Sequence, residues 1–295
     1  MNLFRIHIRP QGGSDDMEKT FQYCMDNNLL GIGWRLKTRK NITDWAEYFD
    51  EASKIHSNLN SCKYIENRIN RDDLVWTRDT KGNYYLAKVA SGWEYWMSDE
   101  AFRQDIDIAN IFRVIFQKVP IDLVPGKVVA CFRATRTIQQ INDSNAREYS
   151  KYLWNHLSGE EDYAIAPDEF SDIFMMLDDE ETEDLVFLYL QSHGWYVVPN
   201  SRKADTMSFE YLAVNPQNGK QALTQVKTGN TPLNRENYSA YSCEIFLFQA
   251  NELYSGKSAK NVTCLTRNEI REFLEKSIDW LPAIFRTKSE MINIS

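Results

Sequence analysis

Residues 158–184, SGEEDYAIAPDEFSDIFMMLDDEETED, divide the chain into two stretches with different patterns of apolar residues. Acidic side chains crowd this segment, Pro167 punctuates it, and only IFMML offers a short apolar anchor. A composition shift of this kind marks a boundary, with a short helix or linker joining two domains. The organisation it predicts is a domain over 1–157, an acidic linker over 158–178 and a second domain over 179–295. At 295 residues the chain is long enough for both.

Before the boundary the signals are mostly those of strands. LFRIHIRP alternates apolar and polar residues up to a proline, and DLVWTRDTKGNYYLAKVA reads as strand, turn, strand. GWEYW follows as a short aromatic strand, and GKVVACFRATRTIQQI is expected to supply one or two more. Apolar residues recur every three to four positions in MEKTFQYCMDNN and WAEYFDEASKIH, which predicts helices. Several short strands with two or so helices make a small α+β barrel. Past the boundary, ETEDLVFLYLQSHGW is a helix stopped at Gly194. YVVP comes next, then DTMSFEYLAVN and QALTQVKTG around the turn PQNG. Two further buried strands, CEIFLFQAN and NVTCLT, lead to a closing helix in RNEIREFLEKSIDWL. This order predicts an α/β layer with a mixed sheet.

Composition narrows the class. No apolar run approaches the roughly 20 residues needed to span a bilayer, so no membrane partner is expected. The start MNLFRIHIRPQGG lacks the apolar core of a signal peptide. Five cysteines without a C-x-x-C pair and four scattered histidines give a structural zinc site or a disulfide framework little support. A cytoplasmic protein, bacterial or archaeal, is the expectation. The net charge of −8 is unevenly shared: residues 1–157 carry 22 Lys and Arg against 20 Asp and Glu, residues 158–295 carry 12 against 22. An acidic total does not exclude nucleic acid when one face carries the contacts.

QALTQVKTG holds the most specific chemistry. Hydrolysis of a phosphodiester needs Mg²⁺ (or Mn²⁺ in its place) held by oxygen ligands, an oriented water, and a cation for the developing charge. The i, i+2 spacing of Gln225 and Lys227 puts both on one strand face, with Val226 turned to the core. Asp205, at the start of the neighbouring strand, is expected beside Gln225. Glu183 on the preceding helix is the third oxygen ligand, with Glu181 as its substitute. Glu210 competes with Asp205 but falls on the opposite face of a regular strand. Tyr238, Tyr241 and Lys203 are further candidates for lining the site.

Over roughly residues 180–250 this arrangement resembles the PD-(D/E)xK nucleases. More narrowly, it resembles the Mrr-like and modification-dependent restriction endonucleases, in which Gln often replaces the second acidic residue. The resemblance implies a restriction-endonuclease-like second domain. Asp205, Gln225, Glu183 and Lys227 would be its catalytic residues, the first three of them its metal ligands.

Residues 1–140 resemble PUA-like barrels of the EVE and YTH type, through GIGW, DLVWTRDTKGNYYLAKV and VPGKVVACFRATRTIQQI. Such domains bind modified bases in an aromatic cage, which points to Trp34, Trp76, Trp93 and Trp96. Arg35, Lys37, Arg39 and Lys40 are the expected phosphate contacts, with Arg78 also placed to neutralise phosphates. The bland alternatives are buried tryptophans filling a small barrel and a solvated basic face. The halves together predict a modification-dependent endonuclease acting on double-stranded DNA with a modified base, a cytosine derivative. A homodimer is expected for double-strand cleavage. A nuclease-inactive binding protein and an RNA-directed nuclease stay open as alternatives.

Overall fold

The computed structural model describes residues 1–9, 16–38, 41–165, 172–203 and 209–293. They belong to two units, Met1–Val124 with Val128–Ala166, and Pro125–Lys127 with Pro167–Ser295. The first runs through β1 (Leu3–Ile6), α1 (Met17–Asp26), β2 (Leu29–Ile32), α2 (Trp45–Ser53), α3 (Asn60–Arg68), β3 (Leu74–Arg78) and β4 (Tyr84–Val89). β5 (Glu94–Tyr95), α4 (Asp99–Arg103), β6 (Asn110–Val119), α5 (Gly126–Cys131), β7 (Ile138–Gln140) and α6 (Ser144–Ser158) follow.

Short-range chemistry explains many of these boundaries. α1, α2 and α6 each begin after an aspartate, Asp16, Asp44 or Asp143, whose carboxylate accepts the backbone N–H three residues on. In the turn between β3 and β4, Asp79 accepts from the backbone N–H of Lys81 and Asn83, while Gly82 takes φ +86°. The strand order is β2-β6-β4-β3-β1-β7, with β5 also on β6; β1 and β3 are parallel and the other pairs antiparallel. The sheet curls into a half-barrel over a core that includes Phe4, Leu30, Tyr48, Tyr95 and Phe112.

Several elements depart from the sequence reading, which also left α3, α4 and α6 unassigned. GKVVACFRATRTIQQI forms α5 and only a three-residue β7, because Val128 is buried from a helical turn and tertiary packing overrides β-propensity. NIFRVIFQKV, unassigned from sequence, is the ten-residue β6 that joins β2, β4 and β5.

The second unit contains α7 (Ile173–Met176), α8 (Asp179–Ser192), β8 (Tyr196–Val197), β9 (Tyr211–Val214), β10 (Gln221–Lys227) and β11 (Leu233–Asn234). β12 (Glu244–Gln249), β13 (Tyr254–Ser255), β14 (Val262–Leu265), α9 (Arg267–Ser277) and α10 (Ala283–Asn293) complete it. The order of its main sheet is β14-β12-β10-β9-β8: β8, β9 and β10 form an antiparallel meander, and β10, β12 and β14 are parallel. α8 opens with a reciprocal capping box between Asp178 and Glu181 and stops at Gly194, φ +82°. This is a mixed α/β layer. Among the described residues no helix is long and apolar enough to cross a membrane.

Candidate functional site

The β9–β10 hairpin brings three side chains of the second unit together. Its turn PQNG closes with the Asn215 N–H on the Lys220 carbonyl, and the register pairs Val214 with Gln221 and Tyr211 with Thr224. Continued by one residue, that register sets Glu210 against Gln225, and the Glu210 N–H donates to the Thr224 carbonyl at 2.7 Å. Side chains directly opposite one another share a face. Gln225 Nε2 donates to Glu210 Oε1 at 2.7 Å, and Lys227 Nζ lies 3.0 Å from the same oxygen. Glu210 is thus the carboxylate beside Gln225, where the sequence reading expected Asp205. Asp205 lies outside the described residues. The overlooked signal was register: strands meeting about 216–219 place the partner of Gln225 15 positions earlier, not 20.

Gln225 is 1% exposed, and its Oε1 has no hydrogen-bond partner among the described residues. A buried acceptor left in that state costs about 1–3 kcal/mol. Tyr238 stands near the cluster: burial, then Tyr241, then the Glu210 carboxylate raise the pKa of its phenol. The backbone of Lys203 is in a short 3-10 helix, Pro199–Lys203.

Glu183 lies on α8. On α8, Asp179 accepts a hydrogen bond from the Thr228 hydroxyl and Phe187 packs edge-on against Tyr211, whose strand partner is Thr224. Glu183 falls between Asp179 and Phe187 on that stripe of α8. Glu181 is not available as its substitute. It is buried, with Oε2 2.5 Å from Lys288 Nζ and 2.9 Å from the Asp178 N–H.

Oxygen donors suit a hard cation, and Mg²⁺ takes one or two carboxylates while keeping several waters. The Glu210 carboxylate and Gln225 Oε1, which has no partner among the described residues, are donors of that type. Among the described residues no group of three or more His, Cys, Asp and Glu converges as a metal site.

In the first unit a cavity of about 350 Å³ opens where the two margins of the curled sheet approach. His7, Arg9, Thr135 and Thr137 line it from the β1–β7 margin; residues 31–34, Asp107 and Ile108 line it from the β2–β6 margin. His56 completes the lining. GIGW is pinned there in a costly conformation: Trp34 takes φ +64°, a region bulky residues rarely adopt. Its indole N–H donates to the Asn58 carbonyl at 2.7 Å, and its own carbonyl accepts from the Tyr48 hydroxyl at 3.0 Å. Asn110 Nδ2 donates to the Gly33 carbonyl at 2.7 Å. A Cβ on Gly31 would sit 2.5 Å from the Asn110 carbonyl, so only glycine allows this approach.

The other tryptophans have different surroundings. Trp76 is fully buried with its N–H on the Ser150 hydroxyl, so its ring fills the core and faces no ligand. Trp93 donates to Asn110 Oδ1 and packs edge-on against Trp45, 4.9 Å between centroids. Trp96 stacks on Tyr23 and lies 4.4 Å from the Arg113 guanidinium. Neither is among the residues lining the cavity. Of the expected phosphate contacts, Arg35 is paired with Asp105 at 2.5 Å and Lys37 is exposed. Arg39 and Lys40 lie outside the described residues.

No protein-family model matches the chain, and no curated protein shows significant sequence similarity to it.

Proposed function

We propose that this protein is a modification-dependent DNA endonuclease of the PD-(D/E)xK kind, with a PUA-like first unit that reads a modified cytosine. The observation that carries the reading is Gln225: a buried amide whose carbonyl oxygen lacks a partner among the described residues, beside one carboxylate and one lysine. Glu210 and Gln225 would hold Mg²⁺, with Mn²⁺ as a substitute; when bound, the ion supplies charge neutralisation at the scissile phosphate. Lys227 brings a cation to the same face. It positions the attacking water and offsets the negative charge that grows as a water oxygen joins phosphorus and an ester oxygen departs. Trp34 offers a ring and Asp107 an acceptor for an exocyclic amine, which suits an extruded base.

The test is cleavage of methylated, hydroxymethylated and unmodified plasmid and of structured RNA, each with Mg²⁺ or EDTA. Modified DNA should be cut only with Mg²⁺, and Lys227→Ala or Glu210→Ala should slow cutting by about 10²–10³-fold. Absence of DNA cleavage, or cleavage that survives Lys227→Ala, overturns the nuclease reading. The neutral Gln225 favours one second reading, a binder of modified nucleic acid whose nuclease fold is silent. Modification-dependent binding without cutting would establish it.

A further inference from the structure

The two margins of the cavity in the first unit differ in chemistry. Trp34 and Asp107 belong to the β2–β6 margin, while His7, Arg9, Thr135 and Thr137 belong to the β1–β7 margin. Behind the second margin sits Arg5, fully buried on β1. Its guanidinium donates to the carbonyls of Ala134, Arg136 and Thr137 and to Gln139 Oε1, and its Nε has no partner among the described residues. A buried cation without a carboxylate is expensive. Here it ties down the loop that carries Thr135, Arg136 and Thr137.

The charges around Arg5 and His7 have one sign, while Asp107 brings the opposite sign to the facing margin. Ion pairs of the first unit use Arg35, Lys54, Lys81, Lys88, Arg113, Arg147 and Lys151, among others. Among the described residues none uses Arg5, Arg9, Arg78 or Arg136. Arg78 lies instead over the rings of Tyr84 and Phe132 and donates to the Tyr84 hydroxyl. His7, edge-on to Phe132, is held neutral at pH 7: burial first, then Arg5, Arg9 and Arg78 lower its pKa to about 4 against the opposing Ala134 carbonyl. The β1–β7 margin thus presents a cationic field that suits an anion, across the cavity from the Asp107 carboxylate.

We infer that the cavity takes a whole nucleotide, its base at the Trp34–Asp107 margin and its phosphate at the β1–β7 margin, held by the lining residues Arg9, Thr135 and Thr137, with the exposed Arg136, between the two threonines in sequence, as a second cation for the strand. The inference rests on reading the cavity as a base pocket. It moves the phosphate contacts from residues 35–40 to Arg9 and Arg136. Arg5 is a positioning residue, because it acts through the loop it holds. The phosphate belongs either to a DNA strand or to a free nucleotide, and the ligands of the test separate these sources.

Arg9 and Arg136 are exposed, so their alanine variants should fold. The full chain is titrated with a short duplex carrying 5-methylcytosine, with the matching unmodified duplex, and with 5-methyl-deoxycytidine as nucleoside and 5′-monophosphate. Arg9→Ala and Arg136→Ala should each weaken duplex binding and lower the slope of log affinity against log salt by about one. Lys54→Ala, on an exposed lysine paired with Asp50, should leave that slope alone. The monophosphate should bind at least about tenfold tighter than the nucleoside, an advantage lost in Arg9→Ala. A monophosphate advantage without an arginine effect on duplex assigns the seat to a free nucleotide. Wild-type salt slopes in both arginine variants, together with equal binding of nucleoside and monophosphate, overturn the inference. Equal binding of the two duplexes overturns only the modified-base reading, since the arginine effect is read on either.

Discussion

At the scale of single residues, the amide of Gln225 sets the terms. Its N–H side is taken by Glu210, and the same carboxylate oxygen serves Lys227. The carbonyl side has no partner among the described residues, and the proposed function gives it a hard cation. Gln225→Glu adds the charge that Mg²⁺ prefers, so cleavage should persist with a lower half-saturating Mg²⁺ concentration. Gln225→Leu removes the ligand and should raise that concentration or abolish cutting; a magnesium titration of the cleavage rate decides. His7 carries a second prediction. Its folded pKa, about 4, lies below the ordinary 6.5, so between these values the unfolded chain binds more protons than the folded one. Stability should therefore fall as pH drops from about 6.5 toward 4. His7→Gln should flatten that part of a melting-temperature profile.

At the scale of elements, α8 shows how one helix divides its labour. Asp178 and Glu181 close its first turn, Phe187 packs on the sheet, and Glu181 also meets Lys288 of α10, which is 1% exposed. Lys288 Nζ donates to the Met176 carbonyl as well, so the pair is hydrogen-bonded as burial requires. Lys288→Ala strands a buried carboxylate and should cost about 3–5 kcal/mol. A urea unfolding curve measures this, and the double variant Glu181→Leu, Lys288→Met should recover part of the loss. The hairpin gives the complementary lesson. PQNG, Gly219 at φ +70° and the alternation of β10 were legible because they depend on backbone sterics over a few residues. The pairing of Glu210 with Gln225 was legible too, had the register been counted outward from the turn. The short helix α5 was not, because a Val-Val run takes either form until packing decides.

For the whole molecule, the proposed activity gives each chain one Glu210–Gln225–Lys227 cluster and one strand cut, which assigns a double-strand break to two chains. If the proposed activity holds, linear product from a modified plasmid should rise more steeply than the first power of protein concentration, while nicking rises linearly. The sequence by itself determined the change of pattern around residues 158–184, the helix stop at Gly194, the turn PQNG and the shared face of Gln225 and Lys227. All of these follow from local periodicity and short-range hydrogen bonding. Only the tertiary structure decided that Trp76 fills the core while Trp34 borders a cavity, and that Arg5 is a buried cation beneath residues 134–137. The reason is topological. β2 and β7 are the first and last strands in the order of the curled sheet, and the curl brings their margins to one cavity. The parallel pairing of β1 with β3 spans about 70 residues of sequence, beyond the reach of any local pattern.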